Sequence, residues 1–388
     1  MKSTIDPVTL STVWHSMQSY CREMRYIIER TAQSLLISQL KDISVGIWDG
    51  TGTKTIAIPQ GLPGQFVGGK FTIQYLLEDY KDRIYPGDIF LNNDPYHGQA
   101  NHLPDWAFIR PIFYKDELLF FTMARAHQYD TGGSYPGGYF PNAYDIIAEG
   151  LNIPPIKVVE RGVEKEDILK LVWNNVRWPE GVRVDNYALI AATEVCSRRL
   201  QALLDKYGRD TVLGCVDEMI DRTESLVREE IRKIPDGTYR GESGTDDDGT
   251  ILDEPVWVRC EVSVKGDEMT IDFSESDEQR PGFINSVYMT TYSSALASVF
   301  LFLPASLADY HNEGSMKPIT VIAPEGSVVN SKYPATVGAS PVTTATQIME
   351  SVLMAMSEAL EHRAIAPWGR HYSQYIFGPT PRTGIRYV

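Results

Sequence analysis

The sequence predicts an α+β fold, with mixed sheets and long helices spread over more than one domain. Three observations carry this. Helical periodicity fills the first segment and again the stretch from Lys165 to about Lys233. Strand-like alternation lies on both sides of that second helical block. The chain has 388 residues, 43% hydrophobic and 22% charged, which is enough to bury a large core without disulfides and suggests two to three domains.

Taken in order, Asp6 is a candidate N-cap with Pro7 at the first helical position. Helical spacing through "LSTVWHSMQSYCREMRYIIERTAQSLLISQL" predicts one long helix. "DISVGIWDGTGTKTIAI" predicts two short strands around a Gly-rich turn, and "FTIQYLLEDY" a short helix. "YPGDIFLNND" is a strand, and "WAFIRPIFYKDELLFFTMARAHQYD" a hairpin turning at "YKDE" that carries His127 at its end. A Gly/Pro/Tyr-rich loop follows. In the helical block one helix ends at Gly208 and the next starts with Asp210 as N-cap. Strands resume after "PDG", and "TATQIMESVLMAMSEALEHR" is the last clear helix. The expected division is a 1–164 domain with the N-terminal helix and hairpins, a 165–234 helical segment and a 235–388 α+β domain.

Several functions are disfavoured. A formal net charge of -15 argues against a nucleic-acid protein, which carries a basic face. Cys21, Cys196, Cys215 and Cys260 form no C-x-x-C pair, so a thiolate zinc site is not expected and the pattern fits a reducing cytoplasm. The N-terminus lacks the apolar stretch of a secretory signal, and the longest apolar run, "ALASVFLFL", is too short to span a membrane. "GQFVGGK" has the spacing of a phosphate loop up to Lys70, but Phe71 stands where the magnesium-binding Ser or Thr belongs. "GTDDDG" lacks the ligand spacing of a calcium loop and reads as a solvated acidic turn.

The polar run "LNNDPYHGQANHLPDW" is the strongest candidate site. His102 and Asp105 flank Pro104, so they share a turn and not a helical face. His127, returning on the hairpin, is expected beside that turn, and Asp42 opens a strand that approaches from the side. Two imidazoles with one or two carboxylates suit manganese, iron or zinc. Spacing alone leaves this open against a set of hydrogen-bonded loop residues. Asp94, His97 and Asp130 lie near as candidates for further ligands, for orienting the imidazoles or for plain turn duty, and Asn93, Asp94 and Asp130 as candidates for supporting the ligands or touching substrate. His15, His311, His362 and His371 have no comparable company.

"GDIFLNNDPYHGQANHLPDW", "ARAHQYDTGG", "PGGYFPNAYDIIAEGLNIPPIKVVERG" and "YPATVGASPVT", in that order, resemble the hydantoinase B/oxoprolinase family over almost the whole chain. The resemblance implies a B-type subunit of a heteromeric ATP-dependent enzyme, acting on a cyclic amide or carboxylating a ketone. It implies that ATP is bound by an actin-like A-type partner subunit, with room for a small third subunit. It also implies a divalent metal whose family ligands match His102, Asp105 and His127, with Asp42 completing the sphere. Two features depart from the family pattern. Gln128 stands where many hydrolase members have a second histidine. The chain also stops at "PRTGIRYV", before a glycine-rich segment, and resembles roughly the first two-thirds of a typical subunit, as a shortened subunit or a fragment. Of the activities, the tyrosine-rich "HQYDTGGSYPGGYFPNAYD" favours a ketone carboxylase using bicarbonate, acetone- or acetophenone-like. An ATP-dependent cyclic amidase and a non-catalytic scaffold subunit are the alternatives.

Overall fold

The computed structural model describes residues 5–58, 67–308 and 310–366, together with 378–379, 381–382 and 386–387. Helix α1 (Pro7–Thr31) begins as expected, with the Asp6 carboxylate accepting from the Thr9 amide as an N-cap. It does not run on through Leu40. Asp185, from a later helix, accepts from the amides of Gln33 and Ser34 at 2.6 and 3.2 Å and pulls the chain out of the helix at Ala32. Ser34 then caps a single further turn, α2 (Leu35–Ser38). The apolar periodicity continues across this break, so a distant carboxylate ends the helix where local pattern would not.

Next come β1 (Ile43–Asp49), β2 (Thr55–Ala57), α3 (Gly69–Tyr80), β3 (Ile89–Asn92), β4 (Asp105–Tyr114), β5 (Glu117–His127), α4 (Ile146–Glu149), β6 (Ile156–Glu160) and β7 (Val163–Glu164). The strands form one antiparallel sheet in the order β2-β1-β5-β4-β3-β6-β7. The β4–β5 hairpin turns on Lys115 and Asp116, both at positive φ (48° and 65°), the backbone sense that fits a two-residue turn to twisted strands.

The helical block is α5 (Glu166–Asn174), α6 (Pro179–Tyr207) and α7 (Arg209–Ile231). Gly208 separates the last two. It also takes the N-cap position expected for Asp210, which lies instead in the first turn of α7, where a carboxylate favours the positive helix end. The chain continues through β8 (Gly237–Thr245), β9 (Val256–Lys265), β10 (Glu268–Asp272), α8 (Tyr288–Phe300), α9 (Glu313–Met316), β11 (Ile319–Ile322) and α10 (Ala345–Ala359). Four of these strands form a second sheet, β11-β10-β9-β8, with β10 and β11 parallel. The two sheets and long helices make the architecture α+β. The "GTDDDG" turn is less solvated than its composition implies: Asp248 is buried and accepts from the amides of Thr250, Ile251 and Gly282.

The seven-stranded sheet is apolar on both faces, and strand alternation sorts its side chains. On β4, Trp106 and Phe108 join a core with α1, α6 and α7, while Ala107 and Ile109 join a second core with the four-stranded sheet, α8 and α10. On β5, Phe120, Ala124 and Ala126 face the first core, Phe121 and Met123 the second. This parity decides where the polar ends of both strands point. Among the described residues, no helix is long and apolar enough to cross a membrane.

Candidate metal centre

Asp105 and His127 are direct partners across the hairpin. By parity they continue the face of Ala107 and Ile109 on β4 and of Phe121 and Met123 on β5. On the far side of β5, Ile43 pairs with Ala126, and the His127 amide donates to the Asp42 carbonyl at 3.1 Å. Asp105, His127 and Asp42 therefore stand in a row across three adjacent strand ends. His102 reaches them from the turn before β4.

The His102 Nε2 and His127 Nδ1 atoms each lie 3.3 Å from Asp105 Oδ1, and the three ligand atoms fall within 4.8 Å of one another. Relative exposures are 1% for His102, 1% for Asp105 and 5% for His127, so water does not solvate this charge. Asp42 is one step out: its Oδ2 is 3.8 Å from His127 Nδ1 and its side chain is 28% exposed.

The Asp105 carboxyl is the decisive group. Burial works against its charge, but the adjacent imidazoles outweigh that and hold it well below the usual carboxylate range. Burial likewise pushes the His127 imidazole down, and the contact with Asp105 and the charges of Asp42 and Asp105 more than reverse this. Yet neither Asp105 oxygen makes a hydrogen bond among the described residues; the 3.3 Å contacts are close in charge but wrong in angle. A buried carboxylate without donors is costly. A divalent cation between one carboxylate and two imidazole lone pairs satisfies all three, and the donor set fits such an ion.

The surroundings orient the imidazoles. His102 Nδ1 lies 3.0 Å from the carbonyl of Gly338, which assigns the proton to Nδ1 and turns the Nε2 lone pair toward Asp105. Tyr139 covers the cluster, stacked on His127 (5.8 Å between ring centres) and edge-on to His102 (5.6 Å). Arg125, fully buried on the same face of β5, donates to Thr72 Oγ1. Burial lowers its guanidinium to about 10, against the opposing pull of Asp105.

The other candidates are spent on backbone. Asn93 donates to the carbonyls of Leu103 and Leu151 and accepts from the Ile153 amide, so it fixes the turn that carries His102. Asp94 accepts from the amides of Tyr96 and His97. Asp130 accepts from the amides of Gly132, Gly137 and Arg177 and pairs with the Arg177 guanidinium at 2.9 Å. Gln128, of opposite parity to His127, accepts from Asn186 of α6 and so faces away from the centre. Lys70, the lysine of the phosphate-loop-like stretch, pairs with Glu313 at 2.7 Å. Residues 64–66 of that stretch, and His371, lie outside the described residues.

A family model described as hydantoinase B/oxoprolinase matches residues 6–388. The chain belongs to the hydantoinase B/oxoprolinase family. It is 32% identical over 381 residues to the beta subunit of the caprolactamase of Pseudomonas jessenii, covering 98% of this chain and 64% of that protein. It is 30% identical over 379 residues to the B-type subunit of a putative D-/L-hydantoinase of Pseudomonas sp. (strain NS671), covering 94% and 63%. A match of 32% identity over 217 residues to the delta subunit of the acetophenone carboxylase of Aromatoleum aromaticum covers 55% and 31%. The crystal structure of ATP-dependent caprolactamase from Pseudomonas jessenii superposes with a TM-score of 0.92 at 32% identity, over 99% of this chain and 66% of that one. The chain thus spans a little under two thirds of the length of these caprolactamase and hydantoinase subunits.

Sequence reasoning did not single out Gly338, Tyr139 and Arg125 as neighbours of the cluster. Tyr139 and Gly338 lie inside motifs that carry the family resemblance, "PGGYFPNAYD" and "YPATVGASPVT", but no local spacing places residue 338 beside residue 102.

Proposed function

We propose that this chain is the metal-binding subunit of an ATP-dependent complex that opens a cyclic amide. The observation that carries the metal reading is the Asp105 carboxylate, buried between two imidazoles with no hydrogen bond to either oxygen. His102, Asp105 and His127 hold the ion and Asp42 joins them from the neighbouring strand end. The metal identity is manganese, zinc or iron by donor type. When bound, the ion supplies a Lewis acid that polarises a carbonyl or phosphoryl oxygen and makes water more acidic. Gly338 orients the His102 imidazole, Tyr139 stacks on His127 and covers the cluster, and Arg125 keeps a positive charge on the same face.

The amide reading is favoured over the carboxylase reading expected from the tyrosine-rich loop. The caprolactamase and hydantoinase subunits match nearly the whole chain, and the acetophenone carboxylase subunit matches about half. That last match keeps ketone carboxylation as the second reading. In both, ATP is held by an actin-like A-type partner; in this chain the lysine of the phosphate-loop-like stretch is engaged by Glu313. The test is to assemble the complex with its A-type partner and supply ATP with a lactam or hydantoin, or with a ketone and labelled bicarbonate. Ring opening that needs ATP and no bicarbonate is the expected result. Label fixed into a ketone product overturns the amide reading in favour of the carboxylase. A complex that is active through another B-type subunit while this chain holds no metal reduces this chain to a scaffold.

A further inference from the structure

Glu149, at the end of α4, is fully buried and takes no part in the chemistry proposed for the ion. Its Oε1 accepts from the Thr336 hydroxyl and from the amides of Val337 and Gly338, the latter two at 2.8 Å. Its Oε2 is buried and makes no hydrogen bond among the described residues. All of its hold is therefore on the 336–338 segment. The next link is the Gly338 carbonyl, which accepts from the His102 Nδ1–H at 3.0 Å. Gly338 itself has no slack, since a Cβ there would lie 2.5 Å from the Phe283 ring and 3.3 Å from Glu149 Cδ.

We propose that Glu149 is a positioning residue of the metal centre: it locks the 336–338 backbone so that the Gly338 carbonyl holds His102 with Nε2 turned to the ion. This rests on the metal reading given above. The physical need is clear. A histidine ligand must keep one tautomer and one ring orientation, and the partner of its second nitrogen sets both. A free loop carbonyl would supply that partner loosely. Three donors converging on one carboxylate oxygen fix the loop in place.

The charge on Glu149 is itself poised. Burial pushes its carboxyl up to about 7, against the bonds from Thr336, Gly338 and Val337, and Asp145 beside its own helix raises it further. Tyr96, on the facing segment, feels the charge in return: burial keeps its phenol protonated, and Glu149 adds to this. Near neutral pH the grip on the loop thus varies between an ionic and a neutral acceptor.

The experiment measures zinc affinity by chelator competition at pH 8 for the wild-type chain and for H102A, E149A, E149Q and T336V, each checked for folding by circular dichroism. We expect binding to be lost in H102A and to weaken about tenfold to a hundredfold in E149A, the range for losing an orienting partner. E149Q, whose amide oxygen can take the same three donors without charge, should recover part of the loss, and T336V should lose a few-fold. The gap between E149Q and wild type should narrow at pH 6, where the wild-type carboxyl is mostly neutral. Folded E149A with wild-type affinity overturns the proposal, as does an E149Q gap that ignores pH. If E149A does not fold, E149Q and T336V carry the same test. If the wild-type chain binds no zinc and no manganese, the metal reading fails separately. Glu149 is then judged in the metal-free protein by the His102 Nδ1 proton resonance, expected in wild type and lost in E149A, or weakened in T336V where E149A does not fold; an unchanged resonance in the folded variant refutes the link.

Discussion

Asp105 and His127 reach the centre by strand register, whereas His102 reaches it through a carbonyl 236 residues further along the chain. The first kind of placement is as firm as the sheet. Its two side chains face each other because β4 and β5 pair along their whole length and because parity allows no other face. The second kind depends on a short turn, held on one side by Asn93 and on the other by the 336–338 backbone. The contrast teaches that one site can combine parts with very different tolerance. Sheet-held ligands fail by losing their own side chains. The turn-held ligand can also fail through residues that never approach the ion.

The largest effects test the ligand set itself. Asp105→Ala, His102→Ala and His127→Ala should each remove bound metal, measured by elemental analysis of the purified protein. Retained metal in any of these variants takes that residue out of the set. Gly338→Ala probes the turn-held half alone. The new methyl group must displace Phe283 or the loop, so metal affinity should fall about tenfold to a hundredfold and stability by about 1–3 kcal/mol. An unchanged affinity would mean that His102 needs no such hold, and the contrast would collapse.

The pH dependence of the metal-free protein comes next. Glu149 is raised from 4.5 to about 7 in the folded chain, so its contribution is fully present below 4.5 and is lost as pH rises through 7. His127, also raised, acts with the same sign above 6.5, while Asp105 is depressed and matters only in stronger acid. Denaturant titrations should show roughly 2–3 kcal/mol less stability at pH 8 than at pH 5, with a flatter profile in Glu149→Gln. A profile that rises with pH over this window contradicts the assignment. Asp42→Asn should weaken metal binding by about tenfold or less, because its carboxylate is further out and partly hydrated. Complete loss of metal would move Asp42 into the inner set. His97→Ala should change stability by no more than about 0.5 kcal/mol and leave metal content as it was, since its side chain is half exposed and touches Asp94 and Tyr333.

Much of this was legible in the sequence, and the rest was hidden for specific reasons. The hairpin, its turn and the delivery of His127 to its end follow from alternation and turn length, so Asp105, His127 and Asp42 could be grouped before any coordinates. The break after Thr31 was not legible: the helical pattern runs through it, and only Asp185 explains it. Asp210 looks like a cap, but Gly208 takes the position by entering with a left-handed φ of 79°. The partners of His102 were hidden because a carbonyl has no sequence signature, and the loop bearing it is tied to Glu149 and not to its neighbours in the chain.

The turn at Lys115 and Asp116 lies at the opposite end of the hairpin from the ion's ligands, yet it sets the frame in which they are read. β5 runs 11 residues from that turn to His127; a bulge at Leu119 breaks the alternation once, and from Phe120 onward each step of one residue exchanges one face of the sheet for the other. A slip of one position on β5 would carry Gln128 to the centre and send His127 toward α6. The identities of the two turn residues are free to drift on the solvent side, with glycine better suited than either to the left-handed backbone. Their number is not free. The surface turn and the bulge beside it, neither with chemistry of its own, together carry the count that the chemistry depends on.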